Sequence, residues 1–460
     1  MTVKRNPVAL IIQPYKNAVK SQSTLQHSIN AFIDTVLNTL QRYANIRWNL
    51  VLPGYMLEYI HQNALLRLRT LIQDEGIDII TTGYTEPFLS LSPQWLLLNN
   101  IQHAMSVFRN KLGIEPRGYL PPFSNWEPSC LSTLTQAGCR YIVLSNAVFP
   151  LESRYRGGFW TTEHLGDSTA IIPCHTVKLS GHPLAIRTAL EHAIIHARTN
   201  QVSSIKFLVD ITATSPAQFD EHFSRVSEYC ENSLIDIRPL TCDELVTAYE
   251  PTGIQYLPQS LVIRRDALAR VSYFKNHLFG YEQIGILHRK MMENAANVAR
   301  IENRKKRDAL LHILYWTQDI NCYLPGSEES SGFTNPLHRL WCYEKMIECE
   351  LAHYAVDNIS GGQIKIFDFF KTGMKSLTMS NKTAKLYIDY QNGGTMFAMD
   401  YRPLKLNLNA TFAPHHSPMP NITSPGKSKT CFTDRLLLPS ITRADYIQKR
   451  FDERSDLLCG

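Results

Sequence analysis

The 460-residue chain lacks the features that mark several large classes of protein. No segment approaches the roughly 20 consecutive apolar residues of a membrane-spanning helix. Its first residues, MTVKRNPVALIIQPYKN, include an apolar run of about five, too short for a secretory signal core. The ten cysteines are scattered, with no Cys-x-x-Cys pair and no histidines at zinc-finger spacing. That excludes a disulfide scaffold and predicts buried free thiols in a reducing, cytoplasmic compartment. Charge of one sign is also scarce, with 47 basic against 41 acidic residues. The densest basic cluster, Arg304-Lys305-Lys306-Arg307, stands beside Glu302 and Asp308. It reads as a solvated helix face, and no nucleic-acid or membrane partner is expected. A Gly-rich phosphate loop and a Ser-centred nucleophile elbow are both missing, so no cofactor is expected. His192 and His196 have ligand spacing on one helix, but without the glutamate of a metalloprotease motif they predict no metal.

What is present is an ordinary globular composition, 44% hydrophobic and 19% charged, long enough for two or three domains. Seven short apolar runs mark the first 240 residues: 8–12, 46–52, 77–81, 117–120, 140–144, 169–173 and 205–210. Most are β-branched and free of charge, as parallel strands buried on both faces should be. Amphipathic stretches separate them, among them the stripe Leu25, Ile29, Phe32, Ile33, Val36, Leu37, Leu40. Gly76 and Gly113 fall where helices should stop. Serial βα units of this kind predict a (β/α) barrel, with an open doubly wound sheet as the alternative.

Beyond residue 260 the pattern becomes helical. Leu268, Val271, Phe274, Leu278, Tyr281, Ile284, Leu287 and Met291 recur at spacings of three and four, and another helix follows Pro336. After Gly361-Gly362 come IKIFDFF, SLTMS, AKLYIDY and TMFAMDY, which read as antiparallel strands too few to close a sandwich. The Pro- and Ser-rich stretch 414–430 reads as a loop. The expected domains are therefore a barrel over 1–258, a helical region over 259–356 and a truncated β-sandwich-like domain over 357–460. The helical region would either pair subunits in a homodimer or cover the barrel.

In a βα barrel, chemistry sits where strands end. Those positions hold Gln13-Pro14, Gly83-Tyr84-Thr85-Glu86-Pro87, Trp126-Glu127-Pro128 and Asp210. In this order, with the YLP segment at 323–325 and AKLYIDYQNGGTMFAMDYRP near the end, the chain resembles glycoside hydrolase family 57, in its 4-α-glucanotransferase and α-amylase branch. The resemblance implies an incomplete seven-stranded (β/α) barrel acting on an α-glucan or maltooligosaccharide. It also implies a glutamate nucleophile and an aspartate acid/base, the pair a retaining mechanism requires.

The departures fall on the chemistry. The family's His-x-His-Gln-Pro motif corresponds to Leu10-Ile11-Ile12-Gln13-Pro14, without either imidazole. Matching on Trp126-Glu127-Pro128 puts Phe123 at the nucleophile's place. Asp210 stands at the acid/base, followed by Ile211-Thr212-Ala213-Thr214-Ser215 instead of the family's Gly-Glu-Lys-Phe-Gly. Around Tyr315-Trp316, the family's Asn, Asp and His positions hold His312, Ile313 and Thr317. By resemblance Asp210 is the surviving catalytic carboxylate, and Gln13, Glu86, Trp126 and Trp316 are the sugar-binding candidates. Each has an ordinary structural role as its competitor: a strand cap for Asp210, a braced loop for Glu86, a fixed turn for Gln13 and core packing for Trp126. Glu127 is a poor replacement nucleophile, because a shift of four residues along a loop points a side chain elsewhere, but it and Glu86, or a water activated by Asp210, are what an atypical active enzyme would use. The expectation is a family-57-like pseudoenzyme, with an atypical active enzyme and a repurposed protein-binding scaffold as alternatives.

Overall fold

The computed structural model describes residues 6–15, 22–74, 76–154, 156–179, 183–199, 203–211, 215–231, 237–261, 275, 282–324, 336–356, 361–390 and 394–408. The chain divides into two compact units, Met1–Leu268 with Gln318–Ile320, and Ala269–Thr317 with Asn321–Gly460.

The first unit is a parallel barrel. Its strands are β1 (Asn6–Tyr15), β2 (Trp48–Leu52), β3 (Ile77–Thr81), β4 (Gly118–Tyr119), β5 (Tyr141–Ser145), β6 (Trp160–His164), β7 (Asp167–Lys178), β8 (Ser204–Asp210) and β9 (Ile237–Leu240). Seven of them form a ring in the order β1-β2-β3-β4-β5-β7-β8, closed by the β8–β1 and β1–β2 pairings. These seven are the apolar runs that the sequence predicts. The closed ring excludes the open doubly wound sheet. Two further strands went unpredicted. β6 folds back antiparallel on β7, and β9 joins the N-terminal part of β1 through Asn6–Ala9.

Alternation along each strand sorts the side chains into two cores. Ala9, Ile11, Val51, Ile80, Leu120, Val143, Ile172 and Cys174 form the interior, joined by Cys242 and Leu245. The last two belong to the helix Cys242–Ala248, which starts with a capping box between Thr241 and Glu244. Asn49 fixes this plug: its amide donates to the Leu10 carbonyl at 3.0 Å, and its oxygen accepts from the Cys242 N–H at 2.8 Å. On the opposite parity, Tyr119, Ile142, Leu144 and Ile171 meet Leu97, Ile101, Met105, Leu131 and Leu134 of the surrounding helices. The helix Gln94–Leu112 ends at Gly113, whose φ of 74° is the left-handed stop expected there. Gly118 is held to glycine by contact instead. A Cβ there would come within 2.3 Å of the Tyr141 ring.

In the second unit the helices Glu282–Ala299, Arg304–Trp316 and Pro336–Val356 accompany a five-stranded antiparallel sheet. The sheet runs β10 (Gln363–Phe367), β11 (Ser376–Ser380), β12 (Ala384–Asp389), β13 (Thr395–Tyr401) and β14 (Leu406–Asn407) in sequential order. The stripe positions from Leu268 to Tyr281 and the loop predicted at 414–430 lie outside the described residues. Among the described residues the cysteines are free thiols, and all but Cys230 are buried. No described helix is long and apolar enough to cross a membrane.

Candidate functional site

The C-terminal ends of the barrel strands bring several of the sequence candidates to one end of the barrel. On β1, the interior parity of Ala9 and Ile11 continues to Gln13, which is 5% exposed and whose side-chain oxygen finds no donor. On β8, Phe207 packs outward on Trp48 and Phe223, so Lys206, Leu208 and Asp210 lie on the inner row. Asp210 is buried, and its Cα pairs with that of Tyr15. On β7 the inner row runs from buried Cys174 to Thr176 and Lys178, and these last two are exposed. The inner row of β7 is therefore open to solvent beyond Cys174. Lys206 pairs with Thr176 at that level. Sequence reasoning missed Lys206, because one lysine in an apolar strand is conspicuous only once the strand is known to lie beside an open stretch of β7.

Glu86 stands on a braced loop. Gly83, at φ 96°, turns the chain after β3, and the Gly83 N–H donates to the Thr81 hydroxyl at 3.1 Å. Asn100 accepts from the Tyr84 N–H at 2.9 Å and donates to the Thr85 hydroxyl at 3.1 Å and to the Gln318 side-chain oxygen at 3.0 Å. The Ile320 N–H donates to the Glu86 carbonyl at 2.8 Å, and Pro87 bridges to Asp319. Glu86 and Asp319 are both buried, so two carboxylates share these adjoining segments. Asp319 was not singled out from the sequence, since only the fold brings residues 86 and 319 together.

The loop after β4 carries Phe123 and Ser124, both left-handed, at φ 52° and 50°. Phe123 is 41% exposed, while Ser124 is buried, its hydroxyl accepting from the Ser145 N–H at 2.8 Å. A left-handed residue bearing a Cβ costs about 1–2 kcal/mol. Phe123→Gly is therefore expected to raise stability by about 0.5–1 kcal/mol after glycine's own entropy cost. Denaturant midpoints would measure this, and an unchanged or lower midpoint would show that the turn is not strained.

Trp126 does not face the mouth. It is 1% exposed, belongs to the outer core, and donates its indole N–H to the Leu257 carbonyl at 3.2 Å. Its backbone pairs in both directions with Ser260. Burial leaves its ring for packing and not for stacking on a sugar. Trp316 belongs to the second unit, where it meets Trp341 edge-on at 5.0 Å. Glu127 is half-exposed and precedes the tight turn Pro128–Cys130. The two remaining histidine positions acquire a neighbour that sequence spacing does not show. His175 of β7 lies 6.3 Å from His196, ring to ring, and its titration is lowered by burial and by His196 and His192.

A closed parallel seven-stranded (β/α) barrel with an aspartate ending its last ring strand defines the fold class. Residues 8–259 match the model of glycosyl hydrolase family 57, and the chain belongs to that family. It is 20% identical over 445 residues to alpha-amylase 1 of Dictyoglomus thermophilum, covering 86% of this chain and 64% of that enzyme. It is 21% identical over 517 residues to the 4-alpha-glucanotransferase of Thermococcus kodakarensis, covering 95% and 75%. Among solved structures, the 4-alpha-glucanotransferase from Thermococcus litoralis superposes with a TM-score of 0.70 at 17% identity, covering 88% of this chain and 68% of that one. The chain thus spans less than two thirds of the Dictyoglomus enzyme.

Proposed function

We propose that this chain engages an α-glucan at the barrel mouth without running the retaining double displacement, as a cytoplasmic pseudoenzyme of carbohydrate metabolism. The observation that carries the reading is Phe123. It stands at the position matched to the nucleophile, presents its side chain to solvent, and has only a hydrocarbon ring to offer. Its left-handed backbone supports the view that the loop keeps a demanding shape apart from any chemistry. A retaining mechanism needs two carboxylates across the scissile bond, and Asp210 alone supplies one. The substrate class comes from the relatives, an alpha-amylase and a 4-alpha-glucanotransferase. In this reading Gln13, Glu86 and Asp210 hold sugar hydroxyls. Trp126 is left out because its ring packs in the outer core and its N–H is bonded to the Leu257 carbonyl, and Trp316 because its ring is already engaged.

One observation favours a second reading, an atypical active enzyme. Glu86 and Asp319 are buried carboxylates on adjoining segments, which sequence matching alone would not pair with Asp210. Long incubation with maltoheptaose, with products resolved by chromatography and Asp210→Asn run in parallel, separates the two. The expected result is unchanged substrate in both samples, together with measurable maltoheptaose binding by the unsubstituted chain. New oligosaccharides that vanish in Asp210→Asn would overturn the proposal in favour of the atypical enzyme. Absence of both turnover and binding would favour a scaffold with no sugar site.

A further inference from the structure

We propose that Lys206 is a nucleophilic amine of the barrel interior that condenses reversibly with the aldehyde carbon of an open-chain aldose or a similarly small aldehyde. This goes beyond α-glucan binding and does not rest on it.

Lys206 is 7% exposed in the middle of β8, with Ile11 of β1 on one side and Thr176 of β7 on the other. Lysines are almost never buried without an anionic partner, because removing an ammonium from water is costly. Here no carboxylate lies against it among the described residues, and the nearest ionisable group acting on it is the thiol of Cys174. Burial pulls the amine below the ordinary lysine range, and Cys174 offsets that only in part. A desolvated lysine keeps more of its amine neutral, and the neutral form attacks carbonyl carbon. Access comes from the exposed inner face of β7. Thr176, its register partner, and Lys178 one same-face step further along are both open to solvent, which is the side from which a small aldehyde would approach. A purely structural lysine would be expected to find a carboxylate or a full set of acceptors, as the buried lysines of the second unit do.

The step balances without an added redox partner. The lone pair of Nζ attacks the aldehyde carbon and forms a C–N bond. A proton moves from nitrogen to the former carbonyl oxygen, giving a carbinolamine. Loss of that oxygen as water breaks the C–O bond and leaves the imine, which water hydrolyses in the reverse direction.

The test traps the imine. The full chain is incubated at about neutral pH with D-glyceraldehyde and sodium cyanoborohydride, then digested and mapped by mass spectrometry. An ordinary exposed lysine is mostly protonated there, since its pKa lies near 10.4. Lys206 is expected to gain the reduced adduct about tenfold faster than the exposed Lys305 and Lys306. Lys206→Met is expected to lose that fast adduct while keeping the slow ones and melting no lower than the unsubstituted chain. An unmodified Lys206, or one modified no faster than Lys305 and Lys306, would overturn the proposal. So would a sharp fall in the melting temperature of Lys206→Met, because the amine would then be holding the barrel together. Repeating the labelling with maltose sets the size limit: transfer to Lys206 extends the class to reducing oligosaccharides, and failure confines it to small aldehydes.

Discussion

Replacing Asp400 by alanine is expected to destabilise the second unit by about 3–5 kcal/mol. The reason is a buried, balanced set of charges between helices and sheet. Lys290, from the helix Glu282–Ala299, is fully buried and ion-paired with Asp400 of β13. Its ammonium also donates to the Tyr387 hydroxyl at 2.9 Å and lies 4.3 Å from the centre of that ring. Lys385 of β12 reaches both oxygens of Glu293, at 3.0 and 3.1 Å, and Glu350 at 3.1 Å. Arg402 meets the other oxygen of Glu350 at 3.3 Å. Three cations thus face three anions, so removing one anion leaves Lys290 buried without its main counter-charge. Burial works against the charge of Glu350, but Lys385, Lys290 and Arg402 outweigh it and hold its carboxyl down at about 2. Its stabilising contribution is present above the ordinary carboxylate range and is lost as pH falls toward 2. The measurement is chemical denaturation of Asp400→Ala beside the double variant Asp400→Leu/Lys290→Met. The double variant is expected to recover most of the loss, since apolar replacement of both partners removes the stranded charge. Equal destabilisation of both variants would mean that packing, and not the unpaired ammonium, sets the cost.

The second large effect concerns Asp78, on β3 toward the plugged end of the barrel. Its carboxylate accepts from the Tyr141 hydroxyl at 2.9 Å and from the Ile79 N–H at 2.8 Å. Burial nevertheless dominates and raises its pKa from 3.8 to about 6, with the Tyr141 hydrogen bond opposing and nearby Asp243 reinforcing. A folded value above the unfolded one means that the native state favours the protonated acid. The contribution is complete below pH 3.8 and lost as pH rises toward 6. A shift of that size corresponds to about 3 kcal/mol. Asp78→Asn mimics the protonated form. It is expected to stabilise the barrel above pH 6 by about 1–3 kcal/mol, the lower figure allowing for a weaker bond to Tyr141. Denaturant midpoints across this pH range would test it. Parallel pH profiles for the two proteins would show that Asp78 is already ionised at no cost in the native barrel.

Much of this architecture was legible in the residues. The seven runs from VALII to IKFLVD became the seven ring strands because strands buried on both faces leave uninterrupted apolar sequence. The stripe from Leu25 to Leu40 became the helix Gln22–Arg42 for the equivalent reason at helical period. β6 and β9 escaped notice. WTTEH is polar, and IRPL contains a proline and an arginine, so each is stabilised by its partner strand more than by its own pattern. The charges of the second unit were equally hidden. Lys290, Glu350, Lys385 and Asp400 look like surface residues in the sequence, because a charge reads as buried only when its partner is known.

The sequence by itself determined the seven ring strands, the barrel class and the chemical inventory of the loop ends, because periodicity and residue type are local properties. It placed Gln13, Glu86, Phe123 and Asp210 at or just beyond strand ends. Only the tertiary structure decided which of these groups face the mouth, since that depends on strand parity and on what fills the other side. It sent Trp126 into the core, brought Asp319 beside the Glu86 loop, and set Lys206 in the barrel wall next to an open stretch of β7. Burial and proximity across the chain are long-range properties, and they turn an unremarkable lysine or aspartate into a group with altered chemistry.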